Sequence, residues 1–113
     1  MTEWLSVPDC AHALQISISQ MRELLRERHL VAARRGENNA LYVPADQLIE
    51  GEAGTEVLAT VRGTVIMLAD AGLSDDDIAA WLITEHEDLG ETPLSALRSG
   101  KRAPVRRAAQ TLF

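Results

Sequence analysis

Val7, Cys10, Ala11 and Leu14 stand at i, i+3, i+4 and i+7, the spacing that lines one face of an α-helix. Ser6 can cap that helix, Pro8 is tolerated in its first turn, and Asp9 faces the positive end of its dipole. Leu5 would staple onto Cys10 across the cap, and the place of Cys10 on the apolar face makes it a small core residue. The rhythm breaks at Gln15-Ile16-Ser17. Ser17 and Gln20 then form an S-x-x-Q capping box that opens a second helix running to Arg28. Ile18, Met21 and Leu25 are expected to face inward over Ile16, with Leu24 beside them, leaving Ser19, Gln20, Arg22, Glu23 and Arg26 outside.

Leu30 to Arg35 and Ala40 to Val43 read as two short strands around Gly36-Glu37-Asn38-Asn39, a turn of residues that tolerate left-handed backbone. Pro44 to Ile49 reads as a short helix, and Gly51-Glu52-Ala53-Gly54 as a hinge. Past the hinge, Thr55 caps a long helix from Glu56 to Ala71 with Leu58, Val61, Val65 and Leu68 as its seam and Gly72 as its stop. Gly63 inside it costs ~1 kcal/mol relative to alanine and would permit close helix packing. Ser74 caps a further helix with Asp75, Asp76 and Asp77 in its first turn and Ile78, Trp81 and Leu82 buried. Thr92-Pro93 starts a short helix to Ser99 that Gly100 ends, and Pro104 opens a last one, Val105 to Leu112. The expected fold is mainly α: a winged helix-turn-helix with a small β-hairpin wing over residues 1–50, then a C-terminal helical bundle over 51–113.

Helix, turn, capped helix and basic hairpin in that order point to duplex DNA. An α-helix fits the major groove, and its first two turns reach base edges. Ser17, Ser19, Gln20 and Arg22 open the second helix, and Arg22 carries a guanidinium that can make two hydrogen bonds to guanine. Arg26 would hold phosphate, and the wing, with Arg34, Arg35 and Asn38, would lie on the backbone or in the minor groove.

Charge narrows this. The net charge of -6 excludes affinity from bulk positive charge. Residues 22 to 35 nevertheless hold five arginines against two glutamates, 70 to 91 hold eight acids and no Lys or Arg, and 98 to 107 hold five bases and no acid. The acidity is thus expected apart from the reading head, pairing with the basic 98 to 107 end or restraining it, with Glu85 to Asp88 a solvated loop.

Other chemistries find little footing. The 113 residues suit one compact domain or two small ones sharing a core. No apolar run approaches the ~20 residues of a membrane span, and no signal-peptide layout opens the chain, so a cytoplasmic location is expected. Cys10 is the only cysteine, CxxC and HExxH are absent, and adjacent aspartates at 75 to 77 do not converge as metal ligands. With no nucleophile-base pair and no glycine-rich phosphate loop, neither an enzyme nor a cofactor is expected.

The stretch SVPDCAHALQISISQMRELLRERHLVAARRGENNALYVPADQL resembles the winged helix-turn-helix of the excisionase and MerR-like superfamily, with Gln15 where the turn glycine is usual. The resemblance implies DNA contacts through Ser19, Gln20, Arg22, Arg34 and Arg35. Leu73-Ser74-Asp75-Asp76, Trp81-Leu82 and Val105-Arg106-Arg107-Ala108 are similar to the C-terminal domain of a small actinobacterial family of DNA-binding regulators that includes a mycobacterial Ser/Thr-kinase substrate. Leu89 to Gly100 also resembles the G-x-T-P-L-x-x-L-x-x-G motif of the toxin-binding domain in Xre/MbcA/ParS antitoxins. The resemblances imply a transcriptional regulator with double-stranded DNA as partner, or an antitoxin-like protein holding a toxin through its C-terminal helices. The same helices would serve a homodimer, since no coiled-coil arm is present.

Overall fold

The computed structural model describes residues 3–112. The chain opens with a strand, β1 (Trp4–Ser6), that runs into α1 (Val7–Leu14). Ser6 caps α1 as its residue type predicts, its Oγ accepting the Asp9 N–H at 3.1 Å. The turn to α2 (Ile18–Arg26) is closed by Gln15 in the left-handed conformation, φ 58° and ψ 43°, with its N–H on the α1 carbonyls. A glutamine thus supplies the geometry that a glycine adopts more cheaply.

The hairpin follows. Its first strand is β2 (Ala33–Arg35), shorter than the Leu30 to Arg35 run, because Leu30, Val31 and Ala32 are buried as a connecting segment instead. The second strand is β3 (Ala40–Pro44). The sheet is antiparallel in the order β1-β3-β2, with Leu5 opposite Val43 and Ala33 opposite Tyr42. The third strand is the addition that the wing pattern did not contain.

Residues 44 to 57 depart most from expectation. Only Ala45–Gln47 is helical, as one 3-10 turn, and Leu48 and Ile49 enter a strand, β4 (Leu48–Gly51), paired with β5 (Gly54–Val57). The expected hinge is the tip of this second hairpin, and Thr55 sits in β5, opposite Glu50, rather than capping a helix. The long helix therefore shrinks to α3 (Val61–Asp70), whose preceding residue Thr60 makes no side-chain cap. Val61, Val65 and Leu68 form its buried seam as read, while Leu58, expected in the same seam, is buried just before the helix begins. Gly63 is not a close-packing point, since a Cβ there would meet no atom within 4 Å.

The last three helices are α4 (Asp75–Ile83), α5 (Pro93–Arg98) and α6 (Arg102–Gln110). Ser74 and Thr92 cap the first two, accepting N–H bonds at 3.1 Å each. Helix α6 starts three residues before the expected Val105, at Arg102. In the Leu89 to Gly100 motif Thr92 caps, Pro93, Leu94 and Leu97 are buried, and Gly100 ends α5 at φ 82°. The loop before it is not all solvated. His86 is half-buried, its ring centroid 4.8 Å from that of Trp81, while Glu85, Glu87 and Asp88 are exposed.

Two apolar clusters form the interior. One gathers Cys10, Ala11, Met21, Leu30, Ala32, Val43 and Leu48; the other joins α3 to α6 and reaches back to Val31 and Ala33. Neighbouring residues of one segment, Val31 and Ala32, thus point into different clusters. Gln47, 0% exposed, braces this junction: its side-chain amide accepts the Val31 N–H at 2.9 Å and donates to the Val31 carbonyl at 2.8 Å. Its own carbonyl accepts the Leu58 N–H at 2.8 Å. Arg98 adds a second tie, donating from α5 to the carbonyls of Asp46 and Leu48.

Candidate nucleic-acid interface

Helix α2 begins at a complete capping box. The Gln20 N–H donates to Ser17 Oγ at 3.0 Å, and the Ser17 N–H donates to Gln20 Oε1 at 2.9 Å. Two N–H groups that the helix start leaves unpaired are thereby satisfied. The box also occupies Ser17 Oγ and Gln20 Oε1, so the Gln20 side chain offers its amide NH2 outward. At the other end the Arg62 Nε of α3 donates to the Glu27 carbonyl at 3.0 Å, placing a cation at the negative end of the helix dipole. Arg62 carries no motif, and only the packing of α3 shows its role. Arg28, just beyond, turns the chain at φ 64°.

The exposed face of α2 holds Ser19, Gln20, Arg22 and Arg26 as expected. Arg26 is paired to Glu23 at 2.7 Å. Both partners are largely exposed, so the pair is worth little and a phosphate can compete for the arginine. Arg22 makes no ion pair among the described residues. It lines a groove of about 250 Å³ with Ser6 and Pro8 at the start of α1 and Ala40 and Leu41 of β3. The helix start and the wing strand therefore share one groove, with a free guanidinium in it.

Ile18 does not face inward. It is 44% exposed, because Ile16 in the preceding turn and Met21, Leu24 and Leu25 further along already cover the cluster beneath. Apolar periodicity alone places it with Met21 and Leu25; its position as the first residue of the helix, one turn before the packing begins, is the signal that separates it.

In the wing, Arg34 Nη1 donates to the Asn39 carbonyl at 3.1 Å and so ties the turn across its base. Gly36 at φ 78° and Asn39 at φ 52° take the left-handed positions of that turn, and Asn38 is exposed at its tip. Arg35 leaves the tip and lies over Trp4, its guanidinium carbon 4.1 Å from the ring centroid. A stacked guanidinium keeps its charge and gains a fixed direction. Trp4 thus supports the wing from β1, a role no local pattern announces.

The acids are not apart from this surface. Asp76 Oδ1 accepts the Arg34 backbone N–H at 3.1 Å, sealing the free edge of β2, and Asp75 lies 3.8 Å from Arg28 Nη1. Segregation along the sequence fails in space because α4 packs its first turn against β2. Of the basic end, Lys101 pairs with Glu91 at 2.7 Å, while Arg102, Arg106 and Arg107 are exposed and make no ion pair among the described residues. Bonds from Lys101 and Ser95 hold the Glu91 carboxyl below its ordinary value of 4.5. Burial pushes the Cys10 thiol up from 9.0 to about 11. No group of three or more His, Cys, Asp or Glu side chains among the described residues is arranged to hold a metal ion. None of the helices among them is long and apolar enough to cross a membrane.

Comparison with known proteins matches both halves. The family model described as "DNA-binding protein Rv2175c, wHTH domain" matches residues 1–48, and the one described as "Rv2175c C-terminal domain of unknown function" matches residues 58–112. The curated DNA-binding protein Rv2175c of Mycobacterium tuberculosis is 30% identical over 118 aligned positions, covering 94% of this chain and 77% of that protein. The NMR structure of Rv2175c superposes with a TM-score of 0.80 at 27% identity, covering 98% of this chain and 82% of that one. The resemblance to an actinobacterial family of winged helix-turn-helix proteins is borne out.

Proposed function

Since the chain belongs to the family of the mycobacterial DNA-binding protein Rv2175c, we propose that it binds duplex DNA without catalysis, as a transcriptional regulator. Helix α2 enters the major groove, where Arg22 takes a guanine with Ser19 and Gln20 beside it, and the wing lies on the backbone or in the minor groove. Arg26, Arg34 and Arg35 carry phosphate contacts, helped by the Asn38 amide at the wing tip. Residues 1–50 then form the contacting unit, and 51–113 the helical unit that braces it through Arg62, Asp76 and Arg98. The observation that carries this reading is the groove in which unpaired Arg22 meets the wing strand and the start of α1. The antitoxin-like alternative draws no comparable support, since the residues of its motif cap, end or pack α5.

The test is selection of bound fragments from genomic DNA, followed by affinities at two salt concentrations. Arg22→Ala should weaken binding by roughly 1–3 kcal/mol and relax sequence preference, whereas Arg34→Ala should weaken all sequences alike and lower the salt slope by about one. Equal affinity of the wild type and the double variant would overturn the reading.

A further inference from the structure

Among the described residues Ile18, at 44%, and Leu112, at 47%, are the exposed large apolar side chains, and Leu112 lies at the far end of the chain from the reading helix. Ile18 is the first residue of α2 and stands beside Ser19, Gln20 and Arg22, all exposed and polar. The fold does not need it there, since the cluster beneath is filled by Ile16, Met21, Leu24 and Leu25. An apolar group facing water gains only from an apolar surface brought to it. In the major groove that surface is the thymine 5-methyl group.

Arg22 follows Ile18 at i+4, one turn along the same side of the helix. One turn rises about 5.4 Å and successive base pairs about 3.4 Å, so the two side chains address pairs one or two steps apart. Resting on the reading-head function above, we infer that Ile18 selects a thymine, through its methyl group, within two base pairs of the guanine taken by Arg22. The methyl packs against the exposed side of Ile18 and both lose water. The selected site therefore holds a thymine near that guanine, and the preference is for a methyl group rather than for a hydrogen-bonding pattern.

Replacing thymine by deoxyuridine removes the methyl and keeps every hydrogen-bonding group, which separates the two kinds of recognition. Fragments selected by the full chain are remade with each thymine exchanged in turn. Wild-type protein should lose about fourfold in affinity at one position, from ~0.8 kcal/mol per buried methyl-sized group at ~1.4 kcal/mol per decade. Ile18→Ala should lose about the same on thymine DNA and nothing further on the uracil DNA. The uracil series on the wild type needs no variant, so a folding defect in Ile18→Ala leaves the test standing. A selected site whose uracil forms all bind the wild type equally overturns this inference alone, as does a uracil effect that persists undiminished in folded Ile18→Ala. Failure to select any sequence overturns the reading-head function and this inference with it.

Discussion

Replacing Gln47 by leucine keeps the approximate size of the side chain and deletes its amide. The amide now pairs with both polar groups of Val31, at 2.9 and 2.8 Å, in a site where Gln47 is 0% exposed and Val31 is buried. In Gln47→Leu the Val31 N–H and carbonyl lose these partners. Each buried polar group left unpaired costs about 1–3 kcal/mol, and the leucine recovers part of this by burying no amide of its own, for a net loss of about 3 kcal/mol. For a chain of this length the midpoint of thermal unfolding should fall by roughly 12 °C. Urea unfolding followed by far-ultraviolet circular dichroism gives the free energy directly. Gln47→Glu sharpens the test, because a protonated carboxyl can donate to the Val31 carbonyl as the amide does, while a carboxylate repels it. Burial raises the folded-state pKa of that glutamate above its unfolded value. The stabilising contact is then fully present below the unfolded pKa and lost as pH rises. Gln47→Glu should accordingly lie closer to the wild type at about pH 4 than at pH 7. A loss under about 1 kcal/mol for Gln47→Leu, with the unfolding slope unchanged, would refute the brace.

Gly63→Ala should stabilise the chain by roughly 0.5–1 kcal/mol, since α3 gains helix propensity and the added methyl meets no atom within 4 Å; a lower thermal midpoint would contradict this. Cys10, buried and with its thiol pushed up to about 11, should resist alkylation at about pH 8 until denaturant is added, and labelling at the rate of a small free thiol would contradict its burial. Its raised folded value also means that its contribution to stability is intact below about pH 9 and lost as pH climbs toward about 11. Asp75→Asn removes the negative charge 3.8 Å from Arg28 Nη1, and should raise DNA affinity about twofold at about 50 mM salt, an advantage that fades by about 300 mM as screening shortens. An affinity that is indifferent to this change at low salt would show that Asp75 does not act on the reading surface.

What could be read from the sequence was local. Ser6, Ser17 with Gln20, Ser74 and Thr92 each act three residues away along the chain, and each cap is present. What escaped depends on distant partners. Strand β1 exists because Trp4 to Ser6 pairs with residues near forty positions later, and three residues carry too little alternation to announce it. Thr55 imitates a helix cap, and its place in β5 is decided by register against Glu50. Ile18 shares the spacing of buried residues and is exposed because the helix beneath it is already covered. Asp76 of α4 lies some forty positions from Arg34 in sequence and accepts its backbone N–H in space.

The stacking of Arg35 on Trp4 has an optical consequence. The chain holds two tryptophans, Trp81 in the interior of the helical half and Trp4 half-buried at the foot of the wing. Indole emission responds to the charge and water around the ring. If the proposed phosphate contact draws the guanidinium away, Trp4 should change colour or brightness while Trp81 holds constant. Trp4 emission would then serve as an intrinsic, label-free test of the proposed wing contact, separate from the proposed insertion of the helix.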